Sequence, residues 1–136
     1  MITVAEALAK VLDLFEPLGT ETIPLRAAAG RVLAQDAVAA FNQPPFASSA
    51  MDGYAVRDAD LATGAELHVI GESAAGGYFD GQIGPHQAVR IFTGAPVPTG
   101  ADRILIQEDC TRMGDKITVS DGIDPSFYIR PAGGDF

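Results

Sequence analysis

Val4, Leu8, Val11, Leu12 and Phe15 fall at i, i+4, i+7, i+8 and i+11, which is one face of a 3.6-residue repeat. The spacing predicts an amphipathic helix at the start of the chain. Thr3 and Glu6 carry the Ser/Thr-x-x-Glu pattern of a capping box, which defines the first turn. Glu6 and Lys10 stand four apart with opposite charge on the polar face, and Pro17 and Gly19 stop the helix. One amphipathic helix cannot bury its own stripe, so it must pack on the rest of this chain or on another. Pro24 through Gly30 reads as a single helical turn, and residues 31–39 as a strand of poor alternation.

From Glu66 onward the period changes from 3.6 to 2. Leu67, Val69 and Gly71 alternate with Glu66, His68 and Ile70. Val89, Ile91, Ile104, Leu105, Ile106, Ile117, Val119, Phe127 and Ile129 mark further short strands. Ile104-Leu105-Ile106 has no polar face and predicts a strand buried on both sides. Turn signals separate the strands at Gly76-Gly77, Asp80-Gly81, Gly84-Pro85, Thr99-Gly100, Gly114-Asp115 and Asp121-Gly122. The pattern is that of a mainly β protein with an N-terminal helix.

Composition narrows the classes of function. Nine basic residues against eighteen acidic ones give a net charge of −9, which argues against a nucleic-acid backbone or an anionic membrane surface as the main partner. The longest charge-free stretch, residues 37–51, contains Asn42, Gln43 and two prolines, and it is shorter than the roughly 20 apolar residues of a membrane-spanning helix. Glu6, Lys10 and Asp13 break up the N-terminal apolar residues, unlike a secretory signal. A cytoplasmic location is therefore expected. Cys110 is the single cysteine, which rules out an internal disulfide or a zinc site of paired cysteines.

Three stretches carry candidate chemistry. In residues 43–57, two prolines stiffen the approach to Asp52-Gly53, where a tight turn can hold a carboxylate at a fixed point; the plainer reading is a β-turn with Asp at its first position, which is the commoner use of this dipeptide. Residues 92–102 run Phe-Thr-Gly-Ala-Pro-Val-Pro-Thr-Gly-Ala-Asp between two expected strands. Thr93 supplies a hydroxyl, Gly94 lets a ligand approach the backbone, and Pro96 and Pro98 stiffen the loop. The alternative is a strand connection whose prolines block unwanted pairing. In the tail, Arg130 suits a phosphate and Asp135 a metal or a base, whereas composition alone describes a solvated linker leading into a further domain. His68 and His86 have no second ligand at metal spacing and read as surface residues. Cys110 follows Glu108-Asp109, a setting that disfavours a reactive thiolate.

Pro44-Pro45-Phe46, Ser49-Ala50-Met51-Asp52-Gly53-Tyr54-Ala55-Val56 and Phe92-Thr93-Gly94-Ala95-Pro96-Val97-Pro98 with Gly100-Ala101-Asp102 together resemble one family, the MoeA-like molybdopterin molybdotransferases, relatives of the C-terminal part of gephyrin. The order agrees along nearly the whole chain. Residues 25–34 are similar to the family's Leu-x-x-Ala-x-Gly-Arg-Val-Leu-Ala, and Ala75-Gly76-Gly77, Gln107-Glu108 and the Arg130 to Gly133 tail follow in register. Two long motifs in register are far more specific than one short one.

The resemblance implies an elongated β-rich domain of short, coiled and bifurcated sheets over residues 25–136. It assigns residues 1–24 to a helix and linker of a dimerisation region, and it implies later catalytic and C-terminal domains outside this chain. The implied reaction inserts molybdate into adenylylated molybdopterin with Mg²⁺ and release of AMP, in a cytoplasmic homodimer. The molybdopterin-adenylylating enzyme and molybdoenzymes are the implied partners, with neither nucleic acid nor membrane. Residue by residue, Asp52 aligns with the motif aspartate and suits Mg²⁺ or its bound water. Thr93 aligns with a threonine whose hydroxyl bonds a phosphate or molybdate oxygen, and Asp135 with the aspartate of a Gly-Glu-Asp tail. Ser49, Gly94 and Arg130 fall at substrate-binding positions. Gly134 replaces the usual tail glutamate, and Ala47-Ser48 replaces a more usual Asp-Asn or Asp-Arg. The same fold used as a non-catalytic scaffold is the alternative.

Overall fold

The structure is a computed structural model that describes residues 2–136. The chain forms two compact units, Met1–Val38 and Ala39–Phe136.

In the first unit, helix α1 spans Val4–Leu12. The capping box is complete. Thr3 Oγ1 accepts from the Glu6 amide at 3.2 Å, and Glu6 Oε2 accepts from the Thr3 amide at 2.8 Å. Because its carboxylate turns back to the cap, Glu6 forms no ion pair with Lys10. The helix ends at Leu12, before Pro17, with the Asp13 amide donating to Ala9 O. Phe15 therefore lies beyond the helix. None of the apolar stripe is buried. A short 3-10 turn at Leu25–Ala27 follows, as Pro24 predicts. Residues 31–39 are irregular and not a strand. Their alternation offers no face to bury, and the Arg31 amide closes a turn on Ala28 instead.

The second unit is mainly β. Strands β2 (Gly53–Val56), β3 (Glu66–Ser73), β4 (Gln87–Ile91), β5 (Arg103–Ile106), β6 (Cys110–Met113) and β7 (Lys116–Val119) form one mixed sheet in the order β5-β2-β4-β3-β7-β6. Only β3 and β4 run parallel. The register of that pair shifts between Val69 and Gly71, a bulge that bends the strand. Strands β1 (Ser48–Ser49) and β8 (Ile129–Arg130) make a separate antiparallel pair.

The sheet is buried on both faces. Tyr54, Val56, Leu67, Ala88, Leu105, Ile117 and Val119 fill one side, and Ala55, Ile83, Val89, Ile91, Ala95 and Ile104 the other. Successive residues of β2, β4 and β5 thus enter different cores, as a period of two requires. Ile104 and Leu105 are buried on opposite faces as expected, although β5 is a sheet edge. Phe127, expected in a strand, lies just before β8 and covers part of that edge by accepting from the Ile104 amide at 2.9 Å. Strand β6 escaped the sequence reading because Thr111, Arg112 and Met113 are all exposed. No helix among the described residues is long and apolar enough to cross a membrane.

The constraint that sets β2 between its neighbours is Gly53. A β-carbon there would collide with the carbonyl of Leu105 and with Ile106 Cα. Gly53→Ala is expected to destabilise the chain by about 3 kcal/mol or more, the upper end of overpacking costs, because the obstacle is backbone and cannot turn aside. Urea denaturation followed by circular dichroism checks this.

Candidate functional site

All three candidate stretches converge on residues 43–49. On one side, the Ser49 amide donates to Ala95 O at 3.0 Å, the Gly94 amide to Ser49 O at 2.8 Å and the Val97 amide to Ala47 O at 2.9 Å. On the other, Ser48 pairs with Arg130 and Ser49 with Ile129. The ladder continues past β8: the Gly133 amide donates to Pro44 O at 2.9 Å, the Asp135 amide to Gln43 O at 2.8 Å and the Gln43 amide to Phe136 O at 2.9 Å. The tail is thus a backbone-paired segment, not a solvated linker. The proline loop is likewise fastened, and Pro96 O also accepts from Ser73 Oγ at 2.8 Å.

Asp52 stands where the chain enters β2. Its carboxylate does not close a turn on its own backbone. Asp52 Oδ1 instead accepts from the Thr93 amide at 2.8 Å and from Thr93 Oγ1 at 2.8 Å, so residues 41 apart in sequence form one unit. These two bonds, the amide first and then the hydroxyl, hold the Asp52 carboxyl below the usual carboxylate range; burial opposes them and the Arg90 guanidinium adds to them. Oδ2 has no hydrogen-bond partner among the described residues.

Ser49 is 1 % exposed and donates its hydroxyl to Met51 O at 2.6 Å, which shapes the turn ahead of Asp52. Gly94 has φ of +83° and open space where a side chain would start, so the backbone beside Thr93 is accessible. Arg130 and Asp135 meet each other through Nη2 and Oδ1 at 2.6 Å, both solvent-exposed. No hydrogen bond or ion pair among the described residues links this pair to Asp52 and Thr93.

A magnesium ion fits this arrangement only in part. Among the described residues no three His, Cys, Asp or Glu side chains cluster as a metal cage. Asp52 offers one free carboxylate oxygen, and Mg²⁺ commonly binds through one or two carboxylates, water and substrate phosphates. Asp52, with that oxygen free, is the residue that would hold it, whereas the Asp135 carboxylate is engaged by Arg130.

The sequence reading passed over Arg90. It donates Nη1 to Gly53 O at 3.1 Å and Nη2 to Gln107 Oε1 at 2.9 Å. Its place on β4, two residues before Phe92 on the same face, was the available signal. His68 and His86 are exposed, and His68 pairs with Asp115 at 3.1 Å. The Cys110 thiol is pushed up to about 11, mainly by burial and only secondarily by Asp109 and Glu108, against the pull of Arg90.

Two outcomes are expected. An Asp whose folded value is depressed adds stability above its unfolded value, about 3.9, and that stability is lost as pH falls through the folded value. Thr93→Val removes the hydroxyl bond, so the Asp52 midpoint followed by carboxyl-carbon NMR is expected to move up toward about 3.9. Cys110 is expected to alkylate at pH 8 roughly two orders of magnitude more slowly than an ordinary thiol, in proportion to its thiolate fraction; mass spectrometry of iodoacetamide-treated protein measures the rate.

Residues 2–136 match the family model described as the MoeA N-terminal region, domains I and II. The molybdopterin molybdenumtransferase of Haemophilus influenzae is 42 % identical over 137 aligned positions, which cover 99 % of this chain and 34 % of that protein. The enzyme of the same name from Staphylococcus aureus is 35 % identical over 123 positions, 87 % of this chain and 29 % of that protein. A crystal structure of the molybdopterin biosynthesis moeA protein from Pyrococcus horikoshii superposes with a TM-score of 0.82 at 40 % identity, covering 96 % of this chain and 36 % of that one. The chain thus spans about a third of the length of the relatives it matches. By its match over residues 2–136, this chain belongs to the MoeA N-terminal region family.

Proposed function

We propose that this chain is the β-rich portion of a molybdopterin molybdenumtransferase, and that its Asp52–Thr93 unit lines the site where molybdate joins the dithiolene sulfurs of adenylylated molybdopterin with loss of AMP. The observation that carries this reading is the contact itself. Two motif loops far apart in sequence meet at one carboxylate, whose Oδ1 is held by both donors of Thr93 and whose Oδ2 is left open. A hydrogen bond from each donor keeps the carboxylate ionised and aimed, as a preorganised site requires.

Asp52 is the residue that would hold Mg²⁺ or its water through Oδ2. Bound there, Mg²⁺ supplies positive charge to phosphate oxygens, which a protein of net charge −9 otherwise repels. Thr93 works through that carboxylate, because both of its donors end on Oδ1. Ser49 and Gly94 set the backbone around the pair, with Gly94 open to a ligand. Arg130 is suited to a substrate phosphate and Asp135 to metal or water once their mutual ion pair opens. The protein acts in the cytoplasm as a homodimer, receives its substrate from the adenylylating enzyme and serves molybdoenzymes; family membership supports this setting.

The test is molybdate insertion with Mg²⁺, read with AMP release, in the protein extended to the length of its relatives. Asp52→Ala is expected to lose between roughly tenfold and a hundredfold in rate, as for residues that position a metal, while staying folded. Thr93→Ala is expected to lose less. Residues 1–136 alone are expected to show no turnover. Full activity of folded Asp52→Ala removes the Asp52 assignment, and an unsubstituted longer protein with no activity moves the scaffold reading ahead.

A further inference from the structure

Asp52 is held by more than Thr93. Across the sheet, Tyr54 of β2 pairs with Arg90 of β4. The Arg90 guanidinium carbon lies 5.2 Å from the Tyr54 ring centre and 4.7 Å from that of Phe92. Two aromatic rings against a planar cation leave it little rotational freedom, an arrangement a lysine ammonium cannot reproduce. So held, the fork reaches two acceptors, Gly53 O through Nη1 and Gln107 Oε1 through Nη2. Gln107 in turn donates its amide to Asp52 O at 3.2 Å. The carbonyls of Asp52 and Gly53 are therefore each tied down, one by Gln107 and one by Arg90, and the two ties are joined to each other. Thr93 fixes the carboxylate; this second ring of bonds fixes the peptide units that carry it.

We propose that Arg90, acting with Gln107, is a positioning residue for the Asp52 carboxylate. That this matters to catalysis rests on the functional reading above; the positioning does not. Thr93 can hold Oδ1 only while the Asp52 backbone stays where β2 delivers it, and Gly53 has no side chain to anchor that backbone. A lysine at position 90 keeps the charge without the fork, so substitutions there separate geometry from charge.

The test uses the 136-residue chain with Arg90→Met, Arg90→Lys and Gln107→Ala. The exchange rate of the Thr93 amide, which donates to Asp52 Oδ1, is measured by NMR. Arg90→Met is expected to speed Thr93 exchange roughly tenfold, through easier local opening. Arg90→Lys keeps the charge and loses the fork, so it is expected to speed exchange as well. Gln107→Ala removes the second acceptor of the fork, together with the Gln107 Nε2 bond to Glu108 Oε1 at 3.2 Å, and is expected to speed exchange less than Arg90→Met. Wild-type Thr93 exchange in folded Arg90→Met would overturn the proposal. Should Arg90→Met not fold, unchanged Thr93 exchange in both other variants overturns it equally. In the longer protein, Arg90→Met is expected to lower kcat with KM within about twofold, the pattern of a lost transition-state interaction. Altered exchange with full activity leaves the positioning intact and removes the Asp52 reaction role, so the two readings fail separately.

Discussion

The backbone of Gly53 runs against the Leu105 carbonyl with no room for a β-carbon between them. This close approach lets β2 sit between β4 and β5, pairing with both, and so lets four short residues become the centre of two cores. Tyr54 and Val56 enter one core and Ala55 the other. The strand is pinned on both faces and both edges, and Asp52, one residue before it, inherits a fixed origin. Strand β4, its neighbour, ends at Ile91, two residues before Thr93. The Asp52–Thr93 contact is thus the meeting of two strand ends that the sheet has already aligned.

Around that point the chain satisfies its backbone polar groups through one shared segment. Residues 43–49 accept and donate on both edges, to the proline loop and to the tail. Proline-rich and glycine-rich stretches contribute few intrinsic preferences for sheet, so their order here comes from these pairings and not from the stretches themselves. The side chains then divide their roles by exposure. Buried Ser49 turns its hydroxyl inward to Met51 O, while exposed Arg130 and Asp135 hold each other at the rim.

The helix unit is built differently. Its nine-residue helix has local capping and an unburied apolar stripe, and helices this short are marginal when only local terms hold them. Val4, Leu8, Val11 and Leu12 remain exposed. What was legible there was the element and its start, because caps are short-range chemistry. Its end was not: Pro17 and Gly19 forbid a helix beyond them but do not require one to reach them, and it stops at Leu12.

The same boundary between local and long-range physics runs through the whole protein. Sequence by itself determined the capping box, the alternating β3, the doubly buried Ile104 and Leu105, and the family to which the motifs point. Each depends on spacing within a few residues or on a long match in register. The strand character of β2 was hidden, because Gly53-Tyr54-Ala55-Val56 begins within the Asp52-Gly53 turn signal and buries both faces, leaving no alternation to read. The bare strand β6, the ordered tail and the meeting of Asp52 with Thr93, Arg90 and Gln107 were decided only by tertiary structure. A hydrogen bond between residues 41 apart has no local signature, since its geometry exists only after the intervening strands have paired.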